Sequence, residues 1–263
     1  MFKCVLSTLL TITVLTMATA VMAQNAPLPM ATKAPSQATP DFTTGLGPPD
    51  ENEHVEAYTG LDIASHGWIF GWAEGTVAPI TNTDTSGLRF RLYGEAGQYQ
   101  YQSETFEGMT NRANWYRGDA LVGYAFEQEH FSAALYFGAS VIDSVLRNSD
   151  PENPVQGTKV GPAVAGEFES TYNRTLISGE ASYTTAFNTY ETKLKLGWEV
   201  ANHIFVGPET GIEGDQRFNQ WRVGAHVTVL NVGNARIAIG GGYEHDTDTG
   251  AGTYGTIEGG IEF

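Results

Sequence analysis

The chain's clearest hint of acid–base chemistry comes from two short stretches near its ends. His245, Asp246 and Asp248 fall together, and Asp62 and His66 flank Ser65. A histidine beside carboxylates is an arrangement that fixes an imidazole tautomer and lets the ring move protons. Ser65 and Ser182 are the hydroxyls near enough in sequence to be weighed as nucleophiles, by nearness alone. The sequence has no Walker phosphate loop, no paired-histidine zinc motif and no cysteine pair. No catalytic, metal or cofactor site is therefore expected, and ordinary polar residues at the rim of a β fold account for the His and Asp positions most simply.

A larger polar set lies on alternating faces. In 189–200, Tyr190, Thr192, Leu194, Leu196, Trp198 and Val200 make one face, and Glu191, Lys193, Lys195 and Glu199 the other. In 220–229, Trp221, Val223, Ala225, Val227 and Val229 alternate with Gln220, Arg222, His226 and Thr228. Leu88, Phe90 and Leu92 alternate with Arg89, Arg91 and Glu95, and Val160, Val164 and Phe168 alternate with Lys159, Glu167 and Glu169. A period of two with one apolar and one charged face is the pattern of a transmembrane β-barrel, apolar outward and polar inward. The inward set then comprises Arg89, Arg91, Arg117, Lys159, Lys193, Lys195, Arg222 and Arg236. Its acids are Glu95, Asp119, Glu167, Glu169, Glu180, Glu191, Glu199, Glu209 and Glu213. Charges of both signs in a narrow lumen should pair, so a network around Arg89, Arg91, Glu167, Glu169, Glu191, Lys193, Lys195 and Arg222 is expected to fill the interior. The inward aromatics are Tyr93 and Tyr136, with Trp68 and Trp72 as further candidates.

The breaks in alternation predict twelve strands, near 56–64, 67–79, 87–101, 114–127, 130–144, 157–172, 175–185, 189–200, 203–214, 218–229, 235–245 and 252–263. Ten is the alternative count if segments fuse; an even number suits a single-chain barrel. A soluble sandwich would alternate too. Against it stand aromatics at segment ends, such as Trp115, Tyr116, Tyr124 and Phe126, and a last strand with Ile257, Ile261 and Phe263 on one face, like the terminal signal of outer-membrane barrels. Counted back from an inner C-terminus, the breaks at 102–113 and 145–156 are expected on the outside as the two longest connections, with short ones inside. Closure brings the first strand beside the last, and so His66 and Asp62 towards His245 and Asp246.

The N-terminal residues belong to another class. Lys3 precedes an apolar run from Val5 to Val21, and Val21-Met22-Ala23 is a cleavage pattern, so 1–23 is read as a signal peptide. Residues 24–54, rich in Pro, Ala and Thr, are read as a flexible periplasmic segment, and 55–263 as the barrel. The single cysteine, Cys4, lies in the leader, which leaves the remainder without thiol chemistry. The net charge of -16, with only 14 Lys and Arg, argues against nucleic-acid binding.

Several stretches then resemble one family. They are Gly87-Leu88-Arg89-Phe90-Arg91-Leu92 leading to Gly97-Gln98-Tyr99-Gln100-Tyr101; Asp150-Pro151-Glu152-Asn153-Pro154-Val155-Gln156-Gly157; Ser182-Tyr183-Thr184-Thr185-Ala186-Phe187-Asn188-Thr189-Tyr190; Val206-Gly207-Pro208-Glu209; and Gln216-Arg217 leading to Arg222-Val223-Gly224-Ala225. In order and spacing these resemble the BcsS-type cellulose biosynthesis proteins of Gram-negative bacteria, over about residues 56–263. Tyr93-Gly94-Glu95-Ala96 departs from the glycine-rich run usual there. The resemblance implies an outer-membrane member of a cellulose synthesis and secretion system, whose partners would be lipid and cellulose or other secretion components. It brings no catalytic residues. A glucan conduit should be lined with aromatics and neutral polar groups, whereas the inward faces here are charged. A non-enzymatic accessory role is therefore expected first. A small channel for ions or solutes stands second, and a surface hydrolase with a rim His/Asp site third. The loop bearing Asp150, Pro151, Asn153 and Pro154, stiffened by proline and capped by Asp and Asn, is the candidate interaction surface.

Overall fold

The structure, a computed structural model, describes residues 54–263 apart from 104, 107, 233 and 234. The predicted signal peptide and all but the last residue of the 24–54 segment lie outside the described residues. Twelve strands follow in order: β1 (Val55–Ala64), β2 (Ile69–Val77), β3 (Gly87–Gln102), β4 (Thr110–Gln128), β5 (Phe131–Leu146), β6 (Gly157–Tyr172), β7 (Thr175–Thr184), β8 (Thr189–Ala201), β9 (Ile204–Gly214), β10 (Asn219–Val232), β11 (Ala235–Asp246) and β12 (Gly250–Glu262). Each pairs antiparallel with the next, and β1 pairs with β12 from Glu56↔Glu262 to Ala64↔Tyr254, closing the barrel. Closure leaves no unpaired sheet edge.

The alternation places side chains as a membrane barrel requires. Leu92, Phe137, Leu194, Trp198, Val223 and Ile239 stand exposed on the outside, while Arg89, Arg91, Arg117, Lys193, Lys195 and Arg222 are buried inside. A continuous exposed apolar surface over a charged interior inverts the pattern of a water-soluble fold, so this is a transmembrane barrel. A crossing needs about 9–11 residues per strand. β2 has 9, but β3 to β6 have 16 to 19 and so rise beyond the membrane on one side.

That taller side is the end away from His54 and Phe263, here called the outer end. It carries the connections 65–68, 103–109, 147–156, 185–188, 215–218 and 247–249. The inner end has two-residue turns at 129–130, 173–174 and 202–203. Asn173 and Arg174 both take positive φ (47° and 66°), as tight hairpin turns demand. One connection departs from the expected asymmetry. Residues 78–86 form a nine-residue inner loop, longer than the seven-residue outer loop 103–109, because β4 begins at Thr110 rather than 114.

Aromatic rings packed on glycines of the neighbouring strand lock the wall. A Cβ at Gly60 would lie 2.5 Å from the Trp72 ring, and one at Gly260 would lie 2.3 Å from the Tyr58 ring. Only a residue without a side chain lets these rings lie flat on the sheet inside the lumen.

Candidate functional site

The inward faces of the strands assemble one charged interior. Arg91 of β3 binds Glu74 of β2 and Glu167 of β6 (3.0 Å), and its guanidinium lies 5.1 Å from the Tyr136 ring centre. Tyr136 donates to the other Glu167 oxygen at 3.0 Å. Arg117 chelates Asp119 on its own strand (2.7 Å) and covers Tyr93 at 5.2 Å, while Tyr93 donates to Glu95 at 2.7 Å. Arg222 reaches Asp62 at 3.4 Å and covers Tyr254 at 5.4 Å; Tyr254 donates to Glu209 at 2.8 Å. Lys193 and Lys195 of β8 converge on Glu258 of β12, Lys195 at 2.5 Å. Arg236 holds Glu169 at 2.5 Å.

The residues expected to form a network therefore divide. Arg91 and Glu167 meet directly. Glu169, Lys193, Lys195 and Arg222 each find a partner, but those partners are Arg236, Glu258 and Asp62. Among the described residues Arg89 meets no carboxylate: it donates to the carbonyls of Thr83 and Thr85 at 2.7 Å and of Asn82 at 3.3 Å, clamping the inner loop. Glu191 stands opposite Ser182 on one side and Glu213 on the other. Glu199, at the inner end of β8, binds Arg174 (3.2 Å) of the neighbouring turn. Glu74 and Glu258 were missing from the expected set. The Ile257, Ile261 and Phe263 face already placed Glu258 inward; β2, rich in glycine, gave no such cue.

Both ends of the lumen are covered. At the outer end Trp115, Ile142, Val155, Ala186 and Phe187 form a buried apolar cluster, with Phe70 and Tyr99 packed on it. Phe187 takes φ 55°, which turns its ring down into the barrel; Lys159 lies 4.4 Å from that ring and donates to Gln216 at 3.4 Å. At the inner end Thr83 of the 78–86 loop is buried and donates to Glu262 at 2.5 Å. His54 places Nδ1 2.7 Å from the Thr81 carbonyl of the same loop. Between the two lies a cavity of about 240 Å³.

In the loop 147–156, Asp150 and Asn153 are buried, and Pro151, Glu152 and Pro154 are exposed. Asp150 accepts from the Thr105 hydroxyl, and Asn153 Oδ1 accepts from the Val155 amide at 2.8 Å. Burial would raise the Asp150 carboxyl, but hydrogen bonds from Thr105 and Ser103 outweigh it and hold it below its ordinary value. In the next outer loops Arg217 binds Asp248 at 2.5 Å and covers Tyr101 at 4.7 Å. Burial still leaves Asp248 raised, the Arg217 charge only partly offsetting it.

At the rim, closure brings a histidine to carboxylates, but the histidine is His66. Its Nδ1 lies 3.6 Å from Asp246 and 4.0 Å from Glu244. His245 is on the opposite parity and points outward beside Trp221, ring centres 6.0 Å apart. Ser65 Oγ accepts the Thr253 amide at 3.0 Å, and Ser182 Oγ accepts from Arg117 at 3.4 Å.

A family model described as "Cellulose biosynthesis protein BcsS" matches residues 57–263. No curated protein sequence matches the chain. Among solved structures, a KdgM porin in complex with disordered oligogalacturonate is similar at 8% identity and TM-score 0.45, covering 79% of this chain and 99% of that one. The β domain of the Bordetella autotransporter BrkA gives 10% identity and TM-score 0.45 over 80% and 99% of the two chains. The Acinetobacter baumannii outer membrane protein Omp33 gives 13% and 0.36 over 81% and 100%.

Proposed function

The chain belongs to the family of the cellulose biosynthesis protein BcsS, and from that premise we propose that it serves cellulose production as a non-enzymatic accessory barrel of the outer membrane rather than as the conduit of the glucan. The observation that carries the second half is the state of the lumen. A glucan path needs free aromatic faces and an open bore. Here the rings of Tyr93, Tyr101, Tyr136, Tyr254 and Phe187 each lie under a cation. Trp72 is stacked on Tyr93 and lies flat on Gly60. The outer mouth is filled by an apolar cluster. Both features also weigh against the small-channel reading.

The outer membrane location rests on the closed wall with its apolar outside, together with the leader-like residues 1–23. Cleavage after Ala23 would make Gln24 the first residue of the exported protein, which mass spectrometry of the membrane-extracted protein reads directly. The exposed Pro151, Glu152 and Pro154 are the surface the outer loop offers a partner, with Asp150 and Asn153 holding its shape. A rim hydrolase is the weaker reading, because among the described residues no hydroxyl is bonded to the His66 imidazole. The test is deletion of the gene in a cellulose-producing strain. Secreted cellulose should fall and return on complementation; unchanged cellulose would sink the assignment.

A further inference from the structure

We propose that the lumen cavity is a binding chamber for linear diamines and polyamines. This does not depend on the role in cellulose. The cavity wall carries ten carboxyl groups against six Arg and Lys. The internal pairs do not relieve that excess. Glu167 and Glu180 stand directly opposite each other on β6 and β7, where like charges destabilise. Glu169 is only 8% exposed; Arg236 takes one of its oxygens, and Oε1 has no hydrogen-bond partner. Glu127 Oε2, also on the wall, is buried without a partner. A buried carboxylate oxygen left unsatisfied is costly, and a mobile cation that reaches it gains what the wall does not supply.

The chemistry of the wall selects the kind of cation. Among the described residues no three His, Cys, Asp or Glu side chains converge as metal ligands. The acids are spread around the wall, which suits several ammonium groups on one chain better than a single chelated ion. The barrel itself displays the binding mode, since the Lys193 and Lys195 ammoniums share Glu258. At about 240 Å³ the cavity is smaller than pockets that enclose drug-sized ligands, which begin near ~300 Å³, so a short aliphatic chain fits where an oligosaccharide does not.

The test is titration calorimetry on the full exported protein in detergent micelles, after extensive dialysis, with putrescine, spermidine, magnesium chloride and cellobiose as separate probes. Saturable binding of spermidine, tighter than putrescine and weakened by salt, is expected, with cellobiose silent. Glu169→Gln and Glu180→Gln should each weaken spermidine binding about tenfold, the loss of one charge-assisted contact. Heat-modifiable gel mobility separates lost binding from a misfolded barrel, and Glu180→Gln, which breaks no ion pair among the described residues, serves if Glu169→Gln fails to fold. Absence of saturable heat with either amine overturns the proposal. So does magnesium binding as tight as spermidine, or spermidine binding unmoved in the folded variants.

Discussion

Removing the ring of Phe187 should unseal the outer end of the lumen. Phe187 is fully buried, 6.4 Å ring to ring from Trp115, and packs with Ile142 and Val155. Truncating a core phenylalanine to alanine costs about 3–5 kcal/mol. The positive φ at 187 is borne by a non-glycine residue before and after, so backbone strain largely cancels. At about 1.4 kcal/mol per factor of ten, the loop 185–188 should open roughly a hundred- to a few-thousand-fold more often. A cysteine reporter reads that population. Ile142, on β5 within the cluster, is fully buried, and the sequence holds no cysteine except Cys4 in the predicted leader. In Ile142→Cys, labelling by a membrane-impermeant thiol reagent should be slow. In Ile142→Cys with Phe187→Ala it should accelerate by at least a hundredfold. Fast labelling of the single variant, or a change below threefold in the double variant, would refute the outer seal.

Further outcomes follow from the same contacts. Glu258→Gln leaves the Lys193 and Lys195 ammoniums buried without their carboxylate and should cost about 3–5 kcal/mol in urea unfolding of the micelle-bound barrel. Glu199→Gln, whose partner Arg174 is 71% exposed, should cost under about 1 kcal/mol, and equal losses would contradict the lumen's role in stability. Gly60→Ala forces a Cβ against the Trp72 ring and should cost about 1–3 kcal/mol; with Trp72→Ala also present, that penalty should largely vanish, as a double-mutant cycle would read. Because Asp150 is held below its ordinary value when folded, its bonds stabilise the 147–156 loop above the normal carboxylate range and are lost as pH falls through the lowered value. Protease nicking of that loop should therefore rise only in strong acid, and Asp150→Asn should abolish the dependence.

Much of the architecture was legible because a membrane barrel writes its register into parity. In β8 and β10 nearly every second residue is apolar over a full crossing, and both strands were placed within three residues at each end. Where β4 rises above the membrane, Thr110, Asn111 and Arg112 face no lipid and carry no apolar alternation, so its start was placed late. The 78–86 loop is held by Arg89 reaching backbone carbonyls a few residues upstream, a relation that leaves no period. At the rim, Glu244 and Asp246 share the inward face of Arg236, which sends His245 outward and leaves His66 beside the carboxylates. Glu169, Lys193, Lys195 and Arg222 find their partners on strands across the lumen, and which strands face each other there is set by tilt and closure rather than by any one strand.

The most direct test of the central claim asks whether the bore matters to cellulose. Ser178 and Ser182 of β7 face the cavity, and the double variant Ser178→Trp, Ser182→Trp would fill it with bulk. Secreted cellulose is measured in the deletion strain complemented with the parent or with this filled barrel, each verified as folded in the outer membrane. An accessory barrel predicts that cellulose falls on deletion and is restored equally by both. Restoration by the parent alone would make the lumen a glucan path and contradict the account.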